Sequence, residues 1–153
     1  MKKMPNNPQF MKDVKREVLT LIGLRHPNLV LFMGIYNSND TFCVLTEFCA
    51  GGNLFSLLHE KQNIKLSWKQ RYKMTIQIVK GMNYLHSFNP PIIHRDLKSL
   101  NILLSEEITG PNDFVSVKIS DFGLARAQIN NEEMMTSYTG TFVFIISIGW
   151  LQR

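Results

Sequence analysis

Phe10, Val14, Val18, Leu21 and Ile22 recur at steps of three and four residues, the spacing of one face of an amphipathic helix. Gly23 to Asn28, with Pro27, ends that pattern. Leu29 to Tyr36 and Thr41 to Phe48 are instead rich in β-branched and aromatic side chains. The tetrapeptide Asn37-Ser38-Asn39-Asp40 between them is turn chemistry, so the two runs predict a β-hairpin. Gly51 and Gly52 break the chain, and Asn53 is placed to cap a short helix over Leu54 to His59. Ser67 opens the longest helical pattern, which runs to about His86 and stops at Pro90-Pro91. Trp68, Tyr72, Thr75, Val79 and Met82 share one face of it, and Ile76, Ile78 and Leu85 widen that face. Ile92-Ile93, Ile102 to Leu104 and Val115 to Ile119 are short apolar runs. The last two flank the polar loop Ser105 to Asp113 and predict a second hairpin. Residues 126 to 141 are polar and hydroxyl-rich with little periodicity, which predicts a loop. The order is helix, hairpin, helices, hairpin, loop: an α+β chain with no βαβ alternation.

Composition narrows the class. A chain of 153 residues, 44% hydrophobic, has the size of one ordinary domain and can bury a sizeable core. The longest purely apolar run, Phe142 to Ile146, is far short of the roughly 20 residues that span a bilayer, so no membrane span is expected. The basic start Met1-Lys2-Lys3 has no apolar stretch behind it and does not read as a secretory signal. Cys43 and Cys49 match no metal-binding spacing and read as free thiols, which places the protein in the cytoplasm. The net charge of +5 is concentrated near the start, where Lys2, Lys3, Lys12, Lys15, Arg16 and Arg25 face only Asp13 and Glu17. A nucleic-acid surface would interleave such charges with aromatics. Here the stretch holds one, Phe10, so a solvated helix face is expected and no nucleic-acid partner.

The chemistry lies in His94-Arg95-Asp96-Leu97-Lys98-Ser99-Leu100-Asn101 and, 20 residues on, Asp121-Phe122-Gly123. Both segments sit at the ends of short strands. They offer two acids, one amide and one lysine, the groups that phosphoryl transfer needs to take a hydroxyl proton, hold Mg²⁺ and offset charge on a γ-phosphate. These residues resemble the eukaryotic protein kinase domain, with its H-R-D-L-x-x-x-N catalytic loop and D-F-G metal loop. The resemblance implies an incomplete two-lobe fold using ATP and Mg²⁺. It makes Asp96 the base, Lys98 the cation at the γ-phosphate, and Asn101 and Asp121 the metal ligands. Leu45-Thr46-Glu47-Phe48-Cys49 resembles the gatekeeper and hinge: Thr46 would guard the back pocket, the backbone of Glu47 and Cys49 would bond the adenine, and Leu103 would pack beneath it. Glu17 matches the helix glutamate that pairs with a nucleotide-anchoring lysine. Lys2, 15 residues earlier, is either that lysine or a plain terminal one. Leu21, Phe32, His94 and Phe122 match the apolar stack that aligns the two lobes.

Lys98, two residues after Asp96, marks the serine/threonine form of the loop. Leu29-Val30-Leu31-Phe32-Met33-Gly34 and Gly140-Thr141-Phe142 are similar to the tyrosine-kinase-like group, which includes Raf-like and mixed-lineage kinases. Thr141 matches a threonine that bonds the catalytic Asp and Lys. The implied partner is a protein with serine or threonine acceptors. Thr136, Ser137, Tyr138 and Thr139 are candidate targets of an upstream kinase, with Arg95 placed to pair with the phosphate. The resemblance covers residues 1 to 142, with 1 to 48 the remainder of an N-lobe and 49 to 142 the upper C-lobe carrying the catalytic and activation loops. It includes neither a Gly-rich loop nor the lower C-lobe helices, and residues 143 to 153 read as an apolar tail foreign to the family. The expectation is therefore a kinase domain cut at both ends, a serine/threonine kinase by resemblance whose 153 residues alone are not expected to transfer phosphate; the alternative is a catalytically inactive scaffold or interaction protein.

Overall fold

The computed structural model describes residues 2–4, 22–38, 42–61, 63–121 and 126–127. Three short strands form the first sheet: β1 (Lys2–Met4), β2 (Phe32–Asn37) and β3 (Phe42–Thr46), in the order β1-β3-β2 and antiparallel throughout. The predicted hairpin is β2–β3, shortened at its start because Leu29 and Val30 pair elsewhere. Val30 N–H donates to Ile119 O at 2.9 Å and Ile119 N–H donates to Asn28 O at 2.9 Å, a parallel bridge to the far end of the chain. The amphipathic helix expected over Phe10 to Ile22 lies almost wholly outside the described residues, as do Glu17 and everything beyond 127.

Helix α1 (Leu54–His59) begins where expected, with the Asn53 side chain accepting Ser56 N–H at 2.8 Å. Leu54, Leu57 and Leu58, at helical spacing, are buried. Helix α2 (Trp68–His86) opens on a capping box: Ser67 Oγ accepts Gln70 N–H at 3.3 Å and Gln70 Oε1 accepts Ser67 N–H at 2.9 Å, satisfying two orphan donors of the first turn. The Gln70 amide then donates to Gly110 O at 2.9 Å and Asp113 O at 3.2 Å, fixing the helix start to the loop after residue 104.

The face that α2 buries differs from the one its aromatics suggest. Met74, Ile78, Gly81, Met82 and Leu85 face the core, whereas Trp68 is 75% and Tyr72 68% exposed, and Val79 is exposed with them. Of the expected face, Met82, Ile78 and Leu85 are buried. The helix has apolar positions on two sides, and the smaller side chains go inward because α2 approaches the opposing strands closely. A Cβ on Gly81 would lie 2.9 Å from Ile119 Cδ1 and 3.0 Å from Asn28 O. Each fully buried Met, Ile or Leu there contributes about 1.5–3 kcal/mol.

Beyond α2, β4 (Ile92–Ile93) pairs with β7 (Arg126–Ala127), and β5 (Ile102–Leu104) pairs with β6 (Val117–Ile119) as the second predicted hairpin. The first two residues of the expected loop over 126 to 141 are thus a strand, since the backbone of Ile92-Ile93 needs a partner edge. A single 3₁₀ turn, Ser99–Asn101, leads into β5. No helix among the described residues is long and apolar enough to cross a membrane. The whole is a small α+β domain.

The segment before α1 lies flat on β5: Gly51 N–H donates to Leu104 O at 3.0 Å and Leu104 N–H to Gly52 O at 2.9 Å. A Cβ on Gly51 would stand 2.1 Å from Glu106 O and 2.6 Å from Leu104 Cβ, so backbone would have to move. Gly51→Ala should therefore cost about 2 kcal/mol or more in urea unfolding, whereas Gly110→Ala, with nothing within 4 Å of the new methyl, should stay within about 0.5 kcal/mol. Equal midpoints for the two variants would refute the close approach.

Candidate active site

The candidate site is assembled on the buried ring of His94. With the side chain fully enclosed, both ring nitrogens need partners. Nε2 lies 2.9 Å from Ser120 O, and Nδ1 accepts Asp96 N–H at 3.3 Å, which assigns the proton to Nε2. Burial lowers the His94 pKa below its ordinary value. The bond to Ser120 and the negative charges of Asp96 and Asp121 act in the opposite sense without overcoming burial, so the ring is neutral at pH 7. The Nε2 bond to Ser120 O joins the loop of Asp96 to the segment that leads into Asp121.

Ser120 completes the junction. Its N–H and Oγ–H both donate to Asn101 O, at 2.8 and 3.0 Å. Asn101, itself buried, turns its amide nitrogen to Asp96, donating to the backbone O at 2.8 Å and to Oδ2 at 3.0 Å. Lys98 Nζ reaches Asp96 Oδ2 at 2.7 Å. The hydrogen bond from Lys98 is the largest cause holding the Asp96 carboxyl below the usual carboxylate range; burial, next in size, opposes it, and the Asn101 bond adds to the lowering. Arg95 and Asp121 both have positive φ, 64° and 61°. Such a conformation costs a non-glycine residue free energy, and it persists here only because the surrounding bonds over-determine it.

The structure brings Asp96, Lys98, Asn101 and Asp121 to this one junction. Thr46 ends β3 opposite Phe32 and is exposed, while Glu47 and Cys49 follow it half-buried. Leu103, half-buried in β5, bridges to Asn53, so the chain after the hinge-like segment is bonded directly to the strand that leaves Asn101. Lys2 lies on β1 with its Cα paired to that of Val44. Glu17, Phe122, Thr136 to Thr139 and Thr141 lie outside the described residues. Sequence reading missed Ser120, whose one signal is its place directly before Asp121-Phe122-Gly123. It also missed Lys118, which ion-pairs with Glu47 at 2.9 Å.

Mg²⁺ favours hard oxygen ligands. The donor set fits: the two amide bonds to Asp96 consume the nitrogen of Asn101, leaving its carbonyl oxygen for a cation, and Asp121 adds an exposed carboxylate.

The protein kinase domain model matches residues 1–146, and the chain belongs to that family. It is 41% identical over 131 residues to a probable serine/threonine-protein kinase of Dictyostelium discoideum, covering 86% of this chain and 13% of the relative. It is 42% identical over 132 residues to the serine/threonine-protein kinase CTR1 of Arabidopsis thaliana, covering 86% and 15%. A dual specificity protein kinase, splA of Dictyostelium discoideum, is 40% identical over 146 residues, covering 86% and 6%. The chain thus spans a small fraction of the length of each relative.

Asp96 has its charge above a depressed pKa. Its contribution to stability is present above the unfolded value of about 3.9 and is lost as pH falls through the folded one. Lys98→Met should raise the Asp96 midpoint toward 3.9, read from the side-chain carboxyl carbon by NMR. An unmoved midpoint would mean that the lysine does not hold the carboxylate.

Proposed function

We propose that the protein transfers the γ-phosphoryl group of Mg-ATP to serine or threonine hydroxyls of a protein substrate. The single observation behind this is the junction at His94, where an acid with its lysine and a second acid with an amide are fastened to one another through Ser120.

Asp96 is the group that receives the acceptor hydroxyl. Held ionised by Lys98, it is a weak base at pH 7. Its work is to orient the hydroxyl and to take the proton late, as a loose phosphoryl-transfer transition state requires. Lys98, half-exposed, offsets charge on the γ-phosphate. Asn101 Oδ1 and the Asp121 carboxylate would hold Mg²⁺, which supplies charge neutralisation at the phosphates. At the other end, the Glu47 and Cys49 backbone binds the adenine, Leu103 packs under it and Thr46 closes the back. Lys2, paired with Glu17, would position the α- and β-phosphates. Lys98 and the Leu29 to Gly34 and Gly140 to Phe142 segments favour a serine/threonine enzyme of the tyrosine-kinase-like group, working in the cytoplasm. An upstream kinase would act on Thr136 to Thr139, with Arg95 as the phosphate's partner.

Asp96→Asn should lower peptide phosphorylation by about 10²- to 10⁴-fold while leaving Mg-ATP affinity nearly unchanged. Asp121→Asn should instead remove the Mg²⁺ dependence of nucleotide binding. The comparison is made in a chain extended to the full kinase domain; if that parent binds Mg-ATP but transfers no more phosphate than its Asp96→Asn variant, the protein is a nucleotide-binding scaffold and the catalytic reading fails.

A further inference from the structure

Glu47 makes three contacts that its expected role at the adenine, through backbone alone, does not need. Its N–H donates to Leu31 O at 3.0 Å, while its own carboxylate Oε1 accepts Leu31 N–H at 2.6 Å. Backbone and side chain of one residue thus clasp both polar groups of Leu31. The same Oε1 accepts Lys118 Nζ at 2.9 Å. Neither partner is a loose surface group: the Glu47 side chain is 25% exposed and that of Lys118 16%. Partly enclosed pairs of this kind are screened less than surface ones.

Location gives the contact its consequence. Lys118 lies in β6, three residues before Asp121, and its neighbour Ile119 carries the parallel bridge to Leu29. Leu31 sits between that bridge and β2. Glu47 is the first residue after β3. One short stack of backbone, Glu47 on Leu31 and Leu29 on Ile119, therefore joins the hinge-like segment to the strand that presents Asp121, and the carboxylate–ammonium pair closes it from the side.

We propose that Lys118, acting through the Glu47 carboxylate, is a positioning residue that fixes the Glu47 peptide for adenine recognition. This rests on the kinase reading above. A peptide group can hold the adenine edge only if its plane is fixed, and rotation of Glu47 is resisted at both its N–H and its carboxylate. Removing the ammonium leaves a half-buried carboxylate with one backbone donor. The carboxylate then turns toward water, the clasp on Leu31 loosens, and the peptide plane is no longer held. Lys118 touches neither nucleotide nor metal in this account. The loss should fall on the adenine end and spare the triphosphate end.

The test uses the 153-residue chain and three probes: Mg-ATP, adenosine, and magnesium with inorganic tripolyphosphate. Lys118→Met should weaken adenosine and Mg-ATP about five- to tenfold, the size of one misdirected hydrogen bond, and leave tripolyphosphate affinity within twofold. Lys118→Arg should restore adenosine binding, since it keeps the cation. Equal weakening of adenosine and tripolyphosphate, or failure of Lys118→Arg to rescue, would show a merely structural residue and overturn the proposal. Parent-like adenosine binding by Lys118→Met would overturn it alone, leaving the kinase reading intact. Absence of adenosine binding by the parent chain would overturn both. Should Lys118→Met fail to fold, Glu47→Gln keeps an acceptor for Leu31 N–H but loses the ion pair, and it should show the same split between adenosine and tripolyphosphate. An even loss there contradicts the proposal equally.

Discussion

A neutral imidazole enclosed at the centre of the domain sets the geometry of everything around it. His94 cannot be left with an unsatisfied nitrogen in the interior, and it is satisfied by the backbone on either side of the site: Ser120 O at one nitrogen and Asp96 N–H at the other. Either bond alone would hold one loop. Together they fix the distance between two loops that approach from different strands, β4 and β6. Ser120 then returns two hydrogen bonds to Asn101, so each segment restrains the others. The positive φ values at Arg95 and Asp121 are the cost of this closure, borne at the two residues where the chain must turn out of its strand to present a charge.

The scaffold serves that junction. Helix α2 lays Met74, Ile78, Met82 and Leu85 into the core, and the absence of a side chain at Gly81 lets it approach Ile119 and Asn28 closely. Asn28 in turn donates to Val117 O at 3.0 Å and to Gln77 Oε1 at 3.2 Å. Gln77 accepts Val117 N–H at 2.8 Å and donates to Val115 O at 2.9 Å. Strand β6 is thus gripped by β5 along one edge, by the Asn28–Leu29 segment along the other and by α2 across its face. A strand so confined delivers Asp121 to a fixed place.

Much of this was legible in the sequence, where local chemistry decides. Asn53 as a cap, the start of a helix at Ser67, α1 at Leu54 to His59, both hairpins and the end of α2 at His86 follow from turn residues and capping side chains whose partners lie a few positions away. The two segments of the candidate site, His94 to Asn101 and Asp121 to Gly123, stood out as motifs, because their residue types and spacing leave few other uses. The inner face of α2 was not legible, since the helix carries apolar side chains on two sides and the large aromatics Trp68 and Tyr72 pointed to the side that the structure leaves exposed, while the buried side is the one that holds Gly81 against Ile119 and Asn28. Neither was the pairing of β4 with β7, as two-residue strands carry no period. The Glu47–Lys118 contact joins residues 71 positions apart, each an ordinary surface residue type. Ser120 is missed for a related reason: its contribution is mostly backbone, and any residue with an N–H and a carbonyl would look the same in sequence.

If the frame is a nucleotide site, one nucleotide must engage both of its ends. Titrating Mg-ATP into isotopically labelled protein and following backbone amide shifts by NMR tests this directly. The largest shifts should fall at Glu47, Cys49, Asn101, Leu103, Ser120 and Asp121, with the Asn101 and Asp121 responses lost when Mg²⁺ is withheld. Shifts confined to the exposed Trp68 and Tyr72 side of α2, or none at these six positions, would contradict it.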